Sequence, residues 1–326
     1  MTSEKEYPRY SDLLRRTDAP PGSTWGLFGS GIAGDVGSVG LLDAPAVLRG
    51  AATVRSGESF SLNYAVNAFD PPLLASRAAP RLHITSRHRE HRDDVLEGFN
   101  PQSSSQLDGL RHRRHELHGF YNGVHDEDVR TDSLRLGVQT WAEHPIAGRA
   151  VLLDLEPLLT DRGISHADGP AIDVDDLQTA VARQGVEICD GDMLVLHTGW
   201  CRWYLDELDD EGRWDVRAHA RYTGLAQRRA LLAWMWNRRI ALAGSDTYAW
   251  EVMPPIPSSE FRSLNDGGMM HQELLALMGF AIGELWKLDA LVTACRRDSR
   301  WEFLLVSSPL NVPGGVSTPA NAAAIR

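Results

Sequence analysis

Residues Gln102–His112 read QSSSQLDGLRH, and how this run folds decides both the architecture and the chemistry of the chain. The run continues into RRHELHGFYNGVHDED, so that Ser103–Asp128 holds four histidines and five carboxylates among small and amide side chains. Asp108 and His112 are four apart, Gln106 lies two before the aspartate, and Gln102 lies four before Gln106. On a loop or extended turn, side chains at alternate positions converge on one point. Aspartate supplies a hard anionic oxygen and histidine a neutral nitrogen that suits Zn²⁺ or Mn²⁺, whereas glutamine offers only a neutral carbonyl oxygen. Three readings fit the spacing: a metal-binding active site, a metal site with some ligands replaced, or a polar surface loop.

Working outward, a second segment supplies two more groups. His271 opens a helical stretch, and Glu284 stands thirteen residues on, inside the apolar run GFAIGELWKL. A carboxylate among apolar residues is costly to bury without a partner. Glu284 is therefore either at an exposed edge or aimed at a metal or a proton. Between the two segments, near-continuous apolar runs read as strands buried on both faces, at Arg149–Leu155, Asp192–Trp200 and Arg238–Asp246. Glu58–Val66 and Glu302–Leu310 read as further strands. Helices are expected at Asp43–Gly57, Asp173–Gly185 and Ala226–Arg238, the first two with an acidic cap and a glycine stop. His271–Leu291 reads as a helix, a break at Gly279, and then a strand or turn. The fold class is α/β, with a mixed sheet core and flanking helices.

The rest of the chain narrows the function. At 326 residues it can bury a substantial core as one domain. We expect a polar N-terminal arm at 1–23, ordered by a partner subunit, and a single catalytic domain at 24–326. A net charge of −11 counts against nucleic-acid binding, which needs a basic surface. No run approaches the ~20 apolar residues of a membrane helix, and the N-terminus lacks an apolar signal core. Cys189, Cys201 and Cys295 form no CxxC pair and read as buried free thiols of a cytoplasmic protein. His197, inside MLVLHTGW, reads as a core histidine, and the His-rich run His83–Asp94 as a solvated loop.

Taken together, these segments resemble the cyclase-type metal-dependent hydrolases that include bacterial kynurenine formamidase and isatin hydrolase. Their signature is H-x-G-T-H-x-D-x-P-x-H. Asp108 and His112 match it, while Gln102 and Gln106 stand where the first two signature histidines would, and Leu110 where the proline would. DGDMLVLHTGW resembles the family's G-D-x-L-L-x-x-T-G-W strand, and MHQELLALMGFAIGELWKLDAL its H…L-L…G-I-x-I-x-E-x-L pattern. The likeness spans residues 24 to 326, and Q-x-D-G-x-x-H followed by F-Y-N-G is similar to one branch of the family. It implies a swivelling β/β/α fold with one divalent ion, Mn or Zn. Asp108, Gln106, His271 and Glu284 are the implied ligands, and His112 the implied general acid/base. A metal-free site stays open.

With a metal, the expected reaction is hydrolysis of an amide, formamide, lactam or lactone bond in a small carbonyl compound. Without one, Asp108 would orient His112 and raise its pKa, which suits a lyase, isomerase or cyclase. A third alternative is a non-catalytic small-molecule binding protein. Expected substrate contacts are Gln102 and Gln106, donating N–H to a carbonyl, and His118, Tyr121 and Asn122 in a loop marked by Gly119 and Asn122-Gly123. Trp25, Trp141, Trp200, Trp203 and Trp250 are candidates for an aromatic pocket, and Trp250–Ser263 for a specificity loop. The only partners expected are a small-molecule substrate and a second copy, in a homodimer or higher homo-oligomer.

Overall fold

The computed structural model describes residues 6–144, 146–261, 263, 265 and 267–326. The first five residues of the expected arm, and Arg262 of the expected specificity loop, lie outside the described residues. Thirteen strands form: β1 (Ser59–Ser61), β2 (Arg81–Thr85), β3 (Asp93–Glu97), β4 (Gln106–Asp108), β5 (Ile146–Asp154), β6 (Ala171–Ile172), β7 (Met193–His197), β8 (Gly224–Leu225), β9 (Leu242–Ser245), β10 (Ala281–Glu284), β11 (Glu302–Ser307), β12 (Ser317–Pro319) and β13 (Ala322–Ile325). Nine of them make one sheet, in the order β1-β13-β11-β5-β7-β9-β10-β4-β12. Its middle, β5-β7-β9-β10, is parallel, and both flanks are antiparallel. The apolar runs explain that arrangement. β7, β9 and β10 are buried at every position, as parallel strands covered on both faces must be.

The expected helices cover this sheet. Asp43 caps Ala44–Ala51 by accepting from the Ala46 N–H at 2.9 Å. Gly50 lets that helix press onto β5, since a Cβ there would stand 2.5 Å from the Gly148 backbone. Asp173 and Asp176 form a capping box on Val174–Gln184, which ends at Gly185 with φ +63°. Arg229–Asn237 buries Leu231, Leu232, Met235 and Trp236. Tyr10 and Leu13 of the N-terminal segment are buried, and that segment ties to the same helix, with the Tyr10 N–H donating to Asn237 and Trp236 Nε1 donating to the Pro8 carbonyl. A further helix, Asp289–Asp298, was not anticipated from the sequence.

Two other features depart from the sequence reading. The run His83–Asp94 is not a loop: β2 and β3 pair as an antiparallel hairpin in which every strand residue is exposed. Gln106–Asp108 is a buried strand rather than a turn, clamped between β10 and β12. Convergence of its alternate side chains comes from the two-residue period of a strand. Of the cysteines, Cys201 and Cys295 are buried, Cys189 is half-buried, and all three are free. No helix among the described residues is long and apolar enough to cross a membrane.

Candidate metal and acid–base site

The register of β4 against β10 builds the floor of the site. Glu284 faces Gln106 and Ile282 faces Asp108, so the side chains of Gln106, Asp108 and Glu284 share one face. The opposite face is fixed by Trp286. Its ring covers Gly244 and Gly283, where a Cβ would meet ring atoms at 2.8 and 2.6 Å, and its Nε1 donates to the Gln106 carbonyl at 3.1 Å. On the site face, Gln106 Nε2 donates to Glu284 Oε2 at 2.7 Å.

His271 reaches this floor from above. It caps Gln272–Leu277, which winds as a π-helix, and Gly279 (φ +57°) then turns the chain into β10. One buried carboxylate, Glu251, sets the imidazole. Glu251 accepts from Gln227 Nε2 and the Met270 N–H, each at 2.7 Å, from the His271 N–H at 3.0 Å, and from His271 Nδ1. With Nδ1 engaged, Nε2 points at the floor, 3.4 Å from Glu284 Oε1 and 3.9 Å from Asp108 Oδ2. Burial draws the His271 pKa down, but bonds to Glu251 and Glu284 outweigh it and hold the ring at about 10.

These positions fit a divalent ion. One donor atom from each of Asp108, His271 and Glu284 lies within 4.8 Å of the others. Two ligands about 2 Å from one tetrahedral ion stand roughly 3.3 Å apart, close to the spacings seen. Asp108 Oδ2 and Gln106 Oε1 are buried with no hydrogen-bond partner. Buried oxygens left without a partner beside an imidazole nitrogen leave room for a cation between them.

His112 stands at the side of this set. Gln102 Nε2 donates to Asp108 Oδ1 at 2.7 Å and lies 3.2 Å from His112 Nδ1. His112 Nε2 is 3.8 Å from Asp108 Oδ2, beyond hydrogen-bond reach. Asp108 does act to raise the His112 pKa, as expected, but the net shift is downward. Burial dominates and lowers it, while Asp108 pulls the other way and His271 adds to the lowering. The ring is neutral at pH 7. A neutral ring whose Nδ1 accepts from Gln102 carries its proton on Nε2.

A cavity of 440 Å³ opens over His112, His271 and Glu284. Its walls include Tyr222, Tyr248 and Met253 and none of the tryptophans. Trp141, Trp200 and Trp250 are instead core residues. The residues expected to touch substrate separate into two groups. Gln102 and Gln106 are at the site, with their N–H groups directed to its carboxylates and to His112. Tyr121 is fully buried against Gly279, Asn122 ties the Gly26 N–H and the Gly34 carbonyl, and His118 stacks on His115 beside Glu273. None of these three lines the cavity.

Two features escaped sequence reading. Glu251 sits at the end of LAGSDTYAWE, and a lone Glu in a polar turn carries no signal of its role. The second is Asp154, Glu156 and His197, which also converge. There the carboxylates are already taken, since Arg296 forks onto Asp154 at 2.7 and 3.0 Å and reaches Glu156 at 2.8 Å, while Arg202 also binds Glu156. His197 donates to Asp154 at 2.9 Å, as a paired core histidine. A set balanced by two guanidiniums fits an ion-pair network and not a cation site.

A family model described as "Putative cyclase" matches residues 60–252. No curated protein matches the chain. Among solved structures, the crystal structure of a novel cyclase superposes with a TM-score of 0.79 at 27% identity, covering 93% of this chain and 99% of the other. An isatin hydrolase bound to the product analogue thioisatinate gives 0.56 at 14% identity, covering 86% and 98%. Isatin hydrolase A from Labrenzia aggregata, bound to benzyl benzoate, gives 0.52 at 13%, covering 82% and 93%. At those identities the isatin hydrolases share the fold alone.

Proposed function

Since the chain belongs to the cyclase family, we propose that it hydrolyses an amide, formamide, lactam or lactone bond in a small carbonyl compound. Asp108, His271 and Glu284 would hold one divalent ion, Zn²⁺ or Mn²⁺, with His112 as general acid/base. The observation that carries this reading is the convergence of three buried donors on the unpartnered Asp108 Oδ2, beside a neutral imidazole, on the floor of a cavity. When bound, the ion supplies Lewis acidity toward water and the substrate carbonyl.

The chain's own residues do the rest. Gln102 bridges Asp108 and His112 and so ties the carboxylate and the imidazole to one amide. His112 would take up a proton from the attacking water as the neutral ring and then give it, as the imidazolium, to the leaving nitrogen or oxygen, so that the ring ends each turnover neutral. Glu251 keeps His271 Nδ1 engaged so that Nε2 stays on the floor. Tyr222, Tyr248 and Met253 enclose the body of the substrate.

The test is metal analysis of protein purified without added ions, followed by a panel of amides, lactams and lactones with and without chelator. One equivalent of Zn or Mn and turnover abolished by chelation support the reading. Turnover that survives with no metal present refutes it and favours the second reading, a metal-independent lyase, isomerase or cyclase. That alternative draws on one observation: without an ion, His271 is a cation held between Glu251 and Glu284.

We also propose a homodimer built on the β2–β3 hairpin. Its register puts Leu82, Leu96 and Ile84 on one face, and all three are exposed. A two-stranded hairpin packed on nothing is marginal in water. A second copy supplies the same apolar face together with oppositely charged neighbours, Arg81 on β2 and Asp93, Asp94 and Glu97 on β3. Light scattering of the wild type and of Leu82→Glu/Ile84→Glu tests this, with a dimer and a folded monomer expected. A monomeric wild type, or an unchanged dimer in the variant, refutes it.

A further inference from the structure

The rim of the cavity has a different chemistry from its floor. Arg77, Arg113 and Arg217 all line it, in a chain whose net charge is −11. Arg77 and Arg217 are half-buried, and neither meets a carboxylate within ion-pair distance among the described residues. Each instead lies beside an aromatic ring. The Arg77 guanidinium lies 5.8 Å from the Tyr248 ring centre and that of Arg217 lies 4.6 Å from the Trp214 ring centre. A cation–π contact restrains a guanidinium and leaves its N–H groups able to donate. Two arginines with no carboxylate partner at one cavity mouth suit an anionic ligand, since a guanidinium can donate two parallel N–H groups to one carboxylate.

The walls between rim and floor are apolar, formed by Leu73, Tyr222, Tyr248 and Met253. A ligand that matches all three zones has an apolar, flat body with an anionic group at one end and the reacting carbonyl at the other. We propose that the substrate is an organic acid, an aryl or arylalkyl carboxylate whose carboxylate docks on Arg77 and Arg217 while its amide, lactam or lactone carbonyl lies over His112 and His271. The position of the carbonyl rests on the hydrolase reading above, but the carboxylate site does not.

The test therefore uses unreactive probes and no turnover. Phenylpropionate and its neutral isostere phenylpropanamide are titrated calorimetrically into the metal-loaded protein and into the chelator-treated protein. A forked charge-assisted pair predicts that the acid binds about 10-fold more tightly than the amide, in both forms and less so at high salt. Arg77→Met/Arg217→Met should erase the preference to within about twofold. Arg77→Lys, which keeps the charge and loses the fork, should retain part of it, and thermal unfolding of each variant reports whether it is folded. Equal binding of acid and amide overturns the proposal. So does a preference that the folded double variant retains, or one that vanishes on chelation, which would put the carboxylate on the ion. If the preference holds but no amide or lactone is turned over, the hydrolase reading fails alone.

Discussion

Glu251→Gln is the substitution with the most to say about this site. The side chain is fully buried and each oxygen accepts two hydrogen bonds, Oε1 from the His271 N–H and Nδ1, and Oε2 from Gln227 and the Met270 N–H. The variant keeps the shape but replaces one acceptor by an NH₂, so two donors lose their partner whichever way the amide turns. If the NH₂ faces His271, Nδ1 must give up its proton, and the ring carries it on Nε2 instead. That is the atom facing Asp108 and Glu284, so the lone pair that the proposed ion would use is lost. If it faces Met270, a buried N–H meets another donor. Hydrogen bonds to charged groups are worth about 1.5–3 kcal/mol each, so two lost bonds cost stability about 3 kcal/mol after partial relaxation. Changing a partner of a ligating histidine typically costs about 10–100-fold in metal affinity, equivalent to about 1.4–2.7 kcal/mol. The assay is competition with a chromophoric chelator, beside thermal unfolding. A variant that binds Zn²⁺ as tightly as wild type and unfolds at the same temperature would refute the claim that Glu251 orients His271.

Other outcomes follow from single contacts. His112→Ala should lower kcat by about 10²–10⁴-fold while leaving metal stoichiometry unchanged, checked by paired kinetics and metal analysis. Gly283→Ala forces a methyl group to within 2.6 Å of the Trp286 ring and should cost about 1–3 kcal/mol in chemical unfolding. His166 is half-buried beside Trp203 and hydrogen-bonded to Thr223, and desolvation pushes its pKa down to about 4. A depressed histidine contributes stability that is complete above the unfolded value near 6.5 and is lost as pH falls toward 4. His166→Gln should therefore flatten the acid limb of the stability profile by about one proton, and an unchanged limb would count against that burial.

How much of this was legible in the sequence depends on the kind of signal. Buried parallel strands announce themselves as apolar runs, so β5, β7 and β9 were placed within a few residues. Capped helices such as Val174–Gln184 were equally clear, because Asp173 and Gly185 are local punctuation. β4 was missed because three residues among serines and a glycine carry no periodicity of their own. Only its pairing with β10 and β12 makes it a strand. The same pairing brings Gln106 and Asp108 to Glu284, a proximity that spacing along the chain cannot express. The hairpin β2–β3 reads as a loop because its charges swamp its alternation and it buries nothing. The His112 pKa was misjudged in direction for a related reason. Sequence shows the neighbouring carboxylate but not the burial that outweighs it. Tyr121 and Asn122 lie in a glycine-marked loop expected to touch substrate, but their partners are Thr24, Gly26 and Gly279, which pin that loop to the core.

The central claim is that one divalent ion binds between Asp108, His271 and Glu284. The most direct measurement is anomalous diffraction at the metal edge, from crystals grown with Mn²⁺ or Zn²⁺. The account predicts a single strong peak within coordination distance of Asp108 Oδ2, His271 Nε2 and Glu284 Oε1, absent in His271→Ala. A map with no peak there, or a peak that survives His271→Ala, would contradict it.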